Sequence, residues 1–516
     1  MLPALTALLV GVMAFACSSP GISSPTTAGT DPITAITAAP EPPATTAPAA
    51  TTELPAVPAT SDQSESTVAP AADIGIGTEL VGRWEGVTRI VALGELPFAV
   101  AFELSGDELL AAMDIQGGIG LDLVNVSLDG RHIHFELESP FGQAIWDGEV
   151  GDGVIDGDFN QADAAGIFRL ERAGEPEPSA FRSDDVTFTN SDIVLAGQVT
   201  LPDGDGPHPA VVLISGSGDQ TRDVDVAGFR VFAALAEELA TIGIASLRYD
   251  DRGIGGSSGD GLQATIEDRA ADVAAAVDLL VSRDDIDAKR IGLIGHSEGG
   301  MVAPLAASRS GRVAFVALLA APAVPRPELL EAQLELLELS GMSQDQIEQY
   351  QAAQHMAFEA ISTGQGWEDV ERALRALARQ QVQELPEQSR QALGDLDEYI
   401  DVVVSQDMTA WQSPWFVSTL QHDSAAAIAA LDVPVLALFG ELDTQVRAGP
   451  NASAVSEAIA ASDVPSYAIG TVLGANHLFQ AATTGSPDEY DLLRPEFAAD
   501  FLAFLLPWLA EQVGSR

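Results

Sequence analysis

The fold of this 516-residue chain is indicated most clearly by Ile291-Gly-Leu-Ile-Gly-His-Ser-Glu-Gly-Gly300. Its apolar start predicts a short buried strand, and Gly295-His-Ser-Glu-Gly299 fits the G-x-S-x-G pattern of a sharp strand-to-helix turn. Such a turn accepts only small neighbours, a need that Gly295 and Gly299 meet. It also raises the serine hydroxyl above the sheet at a helix N-terminus, where the dipole favours negative charge. We therefore predict that Ser297 is a nucleophile.

Strands and helices alternate on both sides of this turn. The predicted strands are Val186–Thr189, Val194–Leu201, Ala210–Ile214, Ile244–Tyr249, Arg290–Ile294, Val313–Leu319, Val433–Phe439 and Ser466–Val472. The predicted helices between them are Gly228–Thr241, Thr265–Ser282, Gly299–Ser308 and Asn451–Ala461. Several strands are apolar throughout, which is typical of a mostly parallel sheet with helices on both faces. A helical stretch rich in Glu, Gln and Leu, from about residue 325 to 430, separates the sixth and seventh strands and is predicted to be a lid.

A serine hydroxyl needs a base to take its proton, and in an α/β arrangement of this kind the order is serine, acid, histidine. After Ser297 the candidate bases are His355, His422 and His477. The first two lie in or at the end of the helical insertion, whereas His477 follows the last strand. We predict His477 as the base, and we interpret His296, beside the nucleophile, as a packing residue.

The acid that orients the base is expected after the seventh strand. The stretch Pro434-Val-Leu-Ala-Leu-Phe-Gly-Glu-Leu-Asp-Thr444 offers two carboxylates. Asp443 lies further into the loop and is the preferred candidate, with Glu441 as the alternative.

Two backbone amides are expected to receive the negative charge that develops on the substrate oxygen. One belongs to Glu298, the residue after the nucleophile. The other is expected in Ile214-Ser-Gly-Ser-Gly218, after the third strand, where the glycines allow close approach of the backbone of Ser217.

Five groups of residues together resemble a bacterial α/β-hydrolase family often labelled serine aminopeptidase (S33)-like. They are Ile214–Asp223, Arg248–Gly253, Gly295–Gly299, Gly440–Val446, and Asn476–Gln480 with Thr484–Tyr490. The resemblance covers about residues 183–512 and implies an α/β-hydrolase fold with Ser297, Asp443 and His477 as the catalytic triad. Members of the family that have been studied are carboxylesterases on short acyl chains. This chain departs from the family at Asp219, where proline is frequent.

The N-terminus has the pattern of an export signal. Residues 2–15 are almost wholly apolar, too few to span a membrane comfortably, and they lead directly to Cys17. Residues 1–17 therefore resemble a bacterial lipoprotein signal with lipidation at Cys17, which would anchor the exported chain to a membrane; a plain cleaved signal is the alternative. Residues 18–72 are rich in Ser, Thr, Pro and Ala and predict a flexible linker.

Residues 73–174 predict a small antiparallel β domain before the catalytic domain. Short alternating runs such as Phe98–Leu104, His132–Leu137 and Ala165–Leu170 are separated by Asp-Gly and Gly-Asp turns. The region resembles the lipocalin-like β domain found before some bacterial hydrolases. His132 and His134 share one face of a strand, but because no third metal ligand is evident we interpret them as solvated strand residues.

Composition limits the classes of partner. The formal net charge is −52 and the pI about 4.1, so nucleic acid and anionic membrane surfaces are repelled and neither is predicted as a partner. Cys17 is the only cysteine, which excludes an intrachain disulfide and a cysteine nucleophile in the folded part. Lys289 is the only lysine. No pattern indicates a cofactor or a metal.

The reaction predicted by these residues is hydrolysis of a small-molecule carboxylic ester through an acyl-enzyme. The same residues can cleave amides, so a serine aminopeptidase is the main alternative, and it would need acidic groups to hold the substrate's α-amine. An acyl-CoA thioesterase is disfavoured, because a chain of charge −52 repels the phosphates of CoA. A surface-binding lipoprotein with a relic hydrolase domain would carry a broken triad, whereas Ser297, Asp443 and His477 are all present.

Overall fold

The computed structural model describes residues 80–514 except 91–93, 106–107, 116–117, 140–141, 163, 174–180 and 340. The predicted signal at 1–17 with Cys17, and the predicted linker at 18–72, lie outside the described residues. No helix within the described ranges is both long and apolar enough to cross a membrane.

The first unit is a nine-stranded antiparallel sheet. Its strands are β1 Gly82–Ile90, β2 Gly94–Ser105, β3 Glu108–Ile115, β4 Gly118–Asp122, β5 Val124–Asp129, β6 His132–Leu137, β7 Ala144–Val150, β8 Val154–Gln161 and β9 Ala164–Arg172. Their order is β4-β3-β2-β1-β9-β8-β7-β6-β5, and the amide of Leu123 donates to Ala111 O at 2.9 Å. That bond continues the β3–β4 pairing to the residue before β5, and β5 in turn pairs with β6, so one stretch of chain links the two ends of the sheet and the sheet is nearly closed. Aromatic rings fill it, with Phe135 stacked on Trp146 at 5.6 Å between centroids.

The two histidines of β6 lie among acidic side chains. His134 Nδ1 is 2.7 Å from Asp147 Oδ1, and His134 Nε2 is 3.0 Å from Glu136 Oε1. His132 Nε2 is 3.4 Å from the same Asp147 oxygen. Across the part of the chain that the structure describes, no group of three or more His, Cys, Asp or Glu residues is arranged to hold a metal ion.

The second unit is built on an eight-stranded sheet with the order β10-β11-β15-β12-β16-β17-β18-β19. The strands are β10 Phe181–Asn190, β11 Ile193–Pro202, β12 His208–Ile214, β15 Ala245–Tyr249, β16 Ile286–His296, β17 Val313–Leu319, β18 Val435–Gly440 and β19 Tyr467–Val472; a separate hairpin contains β13 Asp225–Val226 and β14 Phe229–Arg230. β11 pairs antiparallel with both neighbours, and all pairs from β15 to β19 are parallel. Each strand predicted for this region overlaps one of the eight.

Helices cover both faces of this sheet and also form an insertion before β18. They are α1 Val231–Thr241, α2 Ile266–Val281, α3 Gly299–Arg309, α4 Arg326–Leu339, α5 Gln344–Thr363, α6 Trp367–Glu384, α7 Glu387–Ala392, α8 Leu396–Gln412, α9 Pro414–Gln421, α10 Ser424–Ala429, α11 Ala448–Ala460 and α12 Ala499–Val513. Helices α2, α3 and α11 contribute to one apolar core, and α1 and α12 to the core on the other side. Burial of this apolar surface is the main stabilising contribution.

Helices α4 to α10 occupy the interval between β17 and β18. Most of their apolar side chains form a core of their own, which includes Leu330, Leu334 and Leu337. The insertion is tied to the sheet unit by polar contacts as well, since Ser418 Oγ accepts from the amide of Ile266 at 3.0 Å. The helical insertion thus has its own core and lies against the carboxyl side of the sheet unit.

Candidate active site

Ser297 lies in a strained turn between β16 and α3. Its φ is +53°, a left-handed value that is rare for a residue with a side chain, and its amide donates to Leu319 O at 2.8 Å. A Cβ on Gly295 would lie 2.2 Å from Gly299 O, and one on Gly299 would lie 2.2 Å from Ile214 O. Only glycine fits at these two positions, as the G-x-S-x-G pattern requires. Ser297 is 7% exposed.

His477 and Asp443 are in direct contact. His477 Nδ1 is 2.8 Å from Asp443 Oδ2, and both side chains are fully buried. The other oxygen, Asp443 Oδ1, accepts from the amides of Gln445 and Val446, each at 2.8 Å. With Nδ1 donating to the carboxylate, His477 Nε2 is the ring nitrogen left to accept a proton. Nε2 is buried and has no hydrogen-bond partner among the described residues, Ser297 Oγ included.

Glu441, the alternative to Asp443, contacts a backbone amide and not the imidazole of His477. Its Oε2 accepts from the amide of Gly474 at 2.8 Å. Glu441 therefore ties the loop of Asp443 to the start of the loop that carries His477, and the structure brings Asp443, not Glu441, to the imidazole.

His296 contacts the loop that carries His477. The two rings lie 4.8 Å apart between centroids, and His296 Nε2 is 2.9 Å from the backbone oxygen of His477. Burial, with the neighbouring His477, lowers the pKa of His296 to about 3. The residue is thus more than the packing residue expected from sequence, and only its position beside Ser297 hinted at a role.

The loop after β12 packs on the nucleophile turn. A Cβ on Gly216 would lie 3.2 Å from Ser297 Cβ, so the backbone passes close to the serine. Ser217 follows and is buried, and Glu298 stands at the start of α3. Among the described residues, neither the Ser217 amide nor the Glu298 amide donates a hydrogen bond to a backbone or side-chain acceptor. Both donors remain available to a substrate oxygen.

Asp251 holds the loop after β12 in place through two hydrogen bonds. Its Oδ1 accepts from Ser215 Oγ at 2.7 Å, and its Oδ2 accepts from the amide of Gln220 at 3.2 Å. Burial raises the pKa of Asp251 to about 6, against the opposing charge of Arg269, whose Nη1 is 3.8 Å away. Asp251, Arg269 and Glu298 also line a cavity of about 20 Å³, which is enough for one water molecule.

The side chain of Glu298 joins the nucleophile turn to the helical insertion. Its two oxygens lie 2.9 and 3.1 Å from Trp415 Nε1, in α9, and its Oε1 is 3.8 Å from Arg269 Nε. Neither Trp415 nor Arg269 was a candidate from the sequence. A tryptophan in a helix is ordinarily a core residue, so no local signal could have shown this contact.

Known proteins similar to this chain include hydrolases. The family model described as "Serine aminopeptidase, S33" matches residues 207–465, a range that includes Ser297 and Asp443 and ends before His477. Esterase EstD of Thermotoga maritima is 29% identical over 271 residues, which are 52% of this chain and 54% of EstD. The match thus spans about half the length of that relative.

Solved structures similar to this one include two esterases. The esterase PF2001 of Pyrococcus furiosus aligns with a TM-score of 0.40 at 16% identity, over 66% of this chain and 96% of the other. Est1E of Butyrivibrio proteoclasticus, bound to ferulic acid, aligns with a TM-score of 0.37 at 17% identity, over 64% of this chain and 100% of the other.

Proposed function

The chain belongs to the serine aminopeptidase S33 family of α/β-hydrolases, and from that membership we propose that it cleaves carboxylic esters through an acyl-enzyme. The observation that carries the proposal is the pair formed by His477 and Asp443, which leaves the buried Nε2 of His477 as an unpaired base. Ser297, at φ +53° in a turn where only glycine fits on either side, is the residue that such a base would activate. The similarity to an esterase favours an ester over other acyl substrates.

The residues of the site divide the proposed reaction between them. Ser297 Oγ attacks the ester carbonyl while His477 Nε2 takes its proton, and Asp443 stabilises the resulting imidazolium through Nδ1–H. The amides of Glu298 and Ser217 hold the oxyanion. His477 then gives its proton to the leaving alcohol. A water, deprotonated by the same nitrogen, attacks the acyl carbon, and the bond to Ser297 Oγ breaks as that oxygen takes the proton back from Nε2, which releases the acid.

Amide hydrolysis is the second candidate, because the same residues can perform it. An aminopeptidase needs a carboxylate that is available to the substrate's α-ammonium group. The buried acids next to the nucleophile turn are already engaged, Glu298 with Trp415 and Asp251 with Ser215 and Gln220. This favours the ester hydrolase.

A labelling experiment tests the proposal. A fluorophosphonate probe is expected to label the wild-type protein and not Ser297→Ala, and kcat on p-nitrophenyl butyrate is expected to fall by roughly 10⁴-fold in that variant. Circular dichroism of both proteins shows whether the fold is retained. Activity of a folded Ser297→Ala within tenfold of the wild type would exclude Ser297 as the nucleophile.

We further propose, from the sequence alone, that the chain is exported and anchored through a lipid on Cys17. In a bacterial host, Cys17→Ser is expected to move the protein from the membrane fraction to the soluble fraction. A wild-type protein that is already soluble in the culture medium would contradict the anchor.

A further inference from the structure

Arg326 is a buried cation at the start of the insertion. It is the first residue of α4, and it is 7% exposed although its neighbours Pro325 and Pro327 are both exposed. The segment before it is fixed, since Asn451 Oδ1 accepts from the amides of Ala323 and Val324 at 2.8 and 3.2 Å. The inward direction of the Arg326 side chain is therefore set by a well-held backbone.

The guanidinium of Arg326 has no partner among the described residues. Its Nε is enclosed and makes no hydrogen bond within that part of the chain. No carboxylate in the same residues lies within 4.0 Å of the guanidinium. Another buried arginine, Arg248, is fully engaged by Asp223, Thr200 and Gln198 at 2.7, 2.8 and 2.6 Å. A buried charge without such partners is costly, and arginines in protein interiors are normally paired. The contrast between Arg248 and Arg326 indicates that Arg326 is a site at which a ligand could bind.

The segment before Arg326 lies against the nucleophile turn, because the Ser297 amide donates to Leu319 O at 2.8 Å. The charge that acts on Arg326 is that of Glu298, the residue after Ser297, and burial lowers the pKa of Arg326 against that attraction. Glu298 accepts from Trp415 Nε1 at 2.9 Å, and within the described part of the chain its carboxylate makes no ion pair with Arg326. Further along the same helix, Gln333 Nε2 donates to Gln445 O at 3.0 Å, in the loop of Asp443. Helix α4 therefore runs from the nucleophile side of the site to the side of the acid.

We propose that Arg326 binds a carboxylate carried by the substrate, so that the natural substrates are esters with a free acid group. This inference rests on the proposed ester hydrolysis. A guanidinium presents parallel N–H donors that match a carboxylate, which supplies both the charge and the hydrogen bonds that Arg326 lacks. The net charge of −52 repels a doubly charged phosphate more strongly than a single carboxylate, which favours the carboxylate.

The carboxylate can belong to the acyl half or the alcohol half of the ester, and two matched pairs of substrates separate these sources. For the alcohol half, 4-butyryloxybenzoate is compared with 4-butyryloxybenzamide. For the acyl half, mono-4-nitrophenyl adipate is compared with 4-nitrophenyl hexanoate. The measured quantity is the ratio of kcat/KM for the acid to kcat/KM for its neutral analogue, after subtraction of spontaneous hydrolysis.

In Arg326→Gln this ratio is expected to fall by about tenfold or more for one of the two pairs, which is the effect of losing a charge-assisted hydrogen bond. Arg326→Lys keeps the charge and loses the paired donors, so its ratio is expected to lie between that of the wild type and that of Arg326→Gln. Arg312→Gln removes the same charge from an exposed surface position and is expected to leave both ratios unchanged. A ratio that Arg326→Gln leaves unchanged in both pairs would overturn the proposal.

A measurement on the wild type alone covers the case in which Arg326→Gln does not fold. Adipate is expected to slow fluorophosphonate labelling of Ser297, whereas the diamide of adipic acid is not expected to slow it. Equal slowing by both compounds, or slowing by neither, would overturn the proposal. Failure of the underlying esterase function looks different. In that case the wild type is neither labelled nor active on the neutral esters, whereas failure of the inference leaves labelling and neutral ester hydrolysis intact.

Discussion

His296 Nε2 lies 2.9 Å from the backbone carbonyl oxygen of His477. Because a carbonyl oxygen only accepts hydrogen bonds, Nε2 carries the hydrogen, and the ring is neutral with its Nδ1 buried and unpartnered. The residue before the nucleophile therefore holds the loop that carries the proposed base. The turn at Ser297 and the position of His477 are joined by one hydrogen bond.

This bond predicts a specific response to acid. Burial lowers the pKa of His296 from 6.5 to about 3, so between these values the unfolded chain binds a proton that the folded chain does not. The stability contributed by neutral His296 is present above pH 6.5 and is lost as the pH falls toward 3. In His296→Gln the amide can donate to the same carbonyl but does not titrate. Relative to this variant, the free energy of unfolding of the wild type is expected to fall as the pH decreases below 6.5, by about 1 kcal/mol per pH unit.

Urea unfolding of both proteins at pH 7, 5.5 and 4, followed by circular dichroism, measures this difference. The other titrating groups, Asp251 among them, are present in both chains and cancel. A wild-type advantage that stays constant from pH 7 to pH 4 would contradict a neutral, buried His296.

The contact between Asp443 and His477 predicts a ranking of two acids. Asp443→Asn places an amide against Nδ1 and disturbs the tautomer of His477, so kcat on p-nitrophenyl butyrate is expected to fall by roughly 10³–10⁴-fold. Glu441→Gln keeps an oxygen that can accept from the amide of Gly474 and is expected to lose little. Steady-state kinetics of the two variants provide the comparison, and the opposite ranking would move the acid to Glu441.

The bond between Trp415 and Glu298 predicts that the insertion supports the active site. Trp415→Phe leaves the buried carboxylate without its indole donor, and we expect the free energy of unfolding to fall by about 2 kcal/mol. Because the Glu298 amide is a proposed oxyanion donor, kcat is expected to fall by roughly tenfold, less than the loss of a whole donor. Trp411→Phe is the matched control, since Trp411 is equally buried and its indole nitrogen contacts no carboxylate among the described residues. Equal effects on kcat in the two variants would show that only packing is involved.

The insertion's own core predicts a limit on acyl length. Of the leucines on α4, Leu330, Leu334 and Leu337 pack within the insertion, and Leu329 packs against the sheet core. Little of this apolar surface is left to line a long channel. On p-nitrophenyl esters, kcat/KM is expected to peak between about C2 and C8, with each buried methylene contributing about 0.8 kcal/mol until the pocket is filled, and to fall at C12. Aminoacyl p-nitroanilides are expected to be poorer by orders of magnitude; a rate that rises through C16, or a preference for the anilides, would contradict this interpretation.

Local pattern was enough to predict most elements of the sheet unit. The alternation of apolar strands and helices gave positions close to the observed ones, and the order of Ser297, Asp443 and His477 along the chain selected the residues that the structure holds at one end of the sheet. The main differences are at strand ends, where β10 begins at Phe181 rather than Val186 and β16 at Ile286 rather than Arg290. Paired edge residues extend these strands beyond their apolar centres, and polarity alone does not mark such residues as strand.

Contacts between distant segments were not predictable in this way. The contact between Trp415 and Glu298 depends on how α9 packs against the sheet unit. The burial of Arg326 without a partner among the described residues depends in the same way on α4. No periodicity in the sequence encodes this packing. The near closure of the first sheet could not be predicted from local pattern either. The strand at residues 132–137 was predicted at its observed bounds. The hydrogen bond from Leu123 to Ala111, however, continues the β3–β4 pairing up to the start of β5, and the strands that this stretch of chain pairs with are set only by the complete sheet.

The one lysine of the sequence has a consequence for handling the protein. Lys289 is exposed near the start of β16, and Ser297 follows the other end of the same strand, roughly 25 Å away at about 3.3 Å per residue. A reagent that couples to side-chain amines therefore has a single target on this chain. Coupling to a resin or an electrode through that amine would attach every molecule at the same point, near the end of β16 opposite to Ser297.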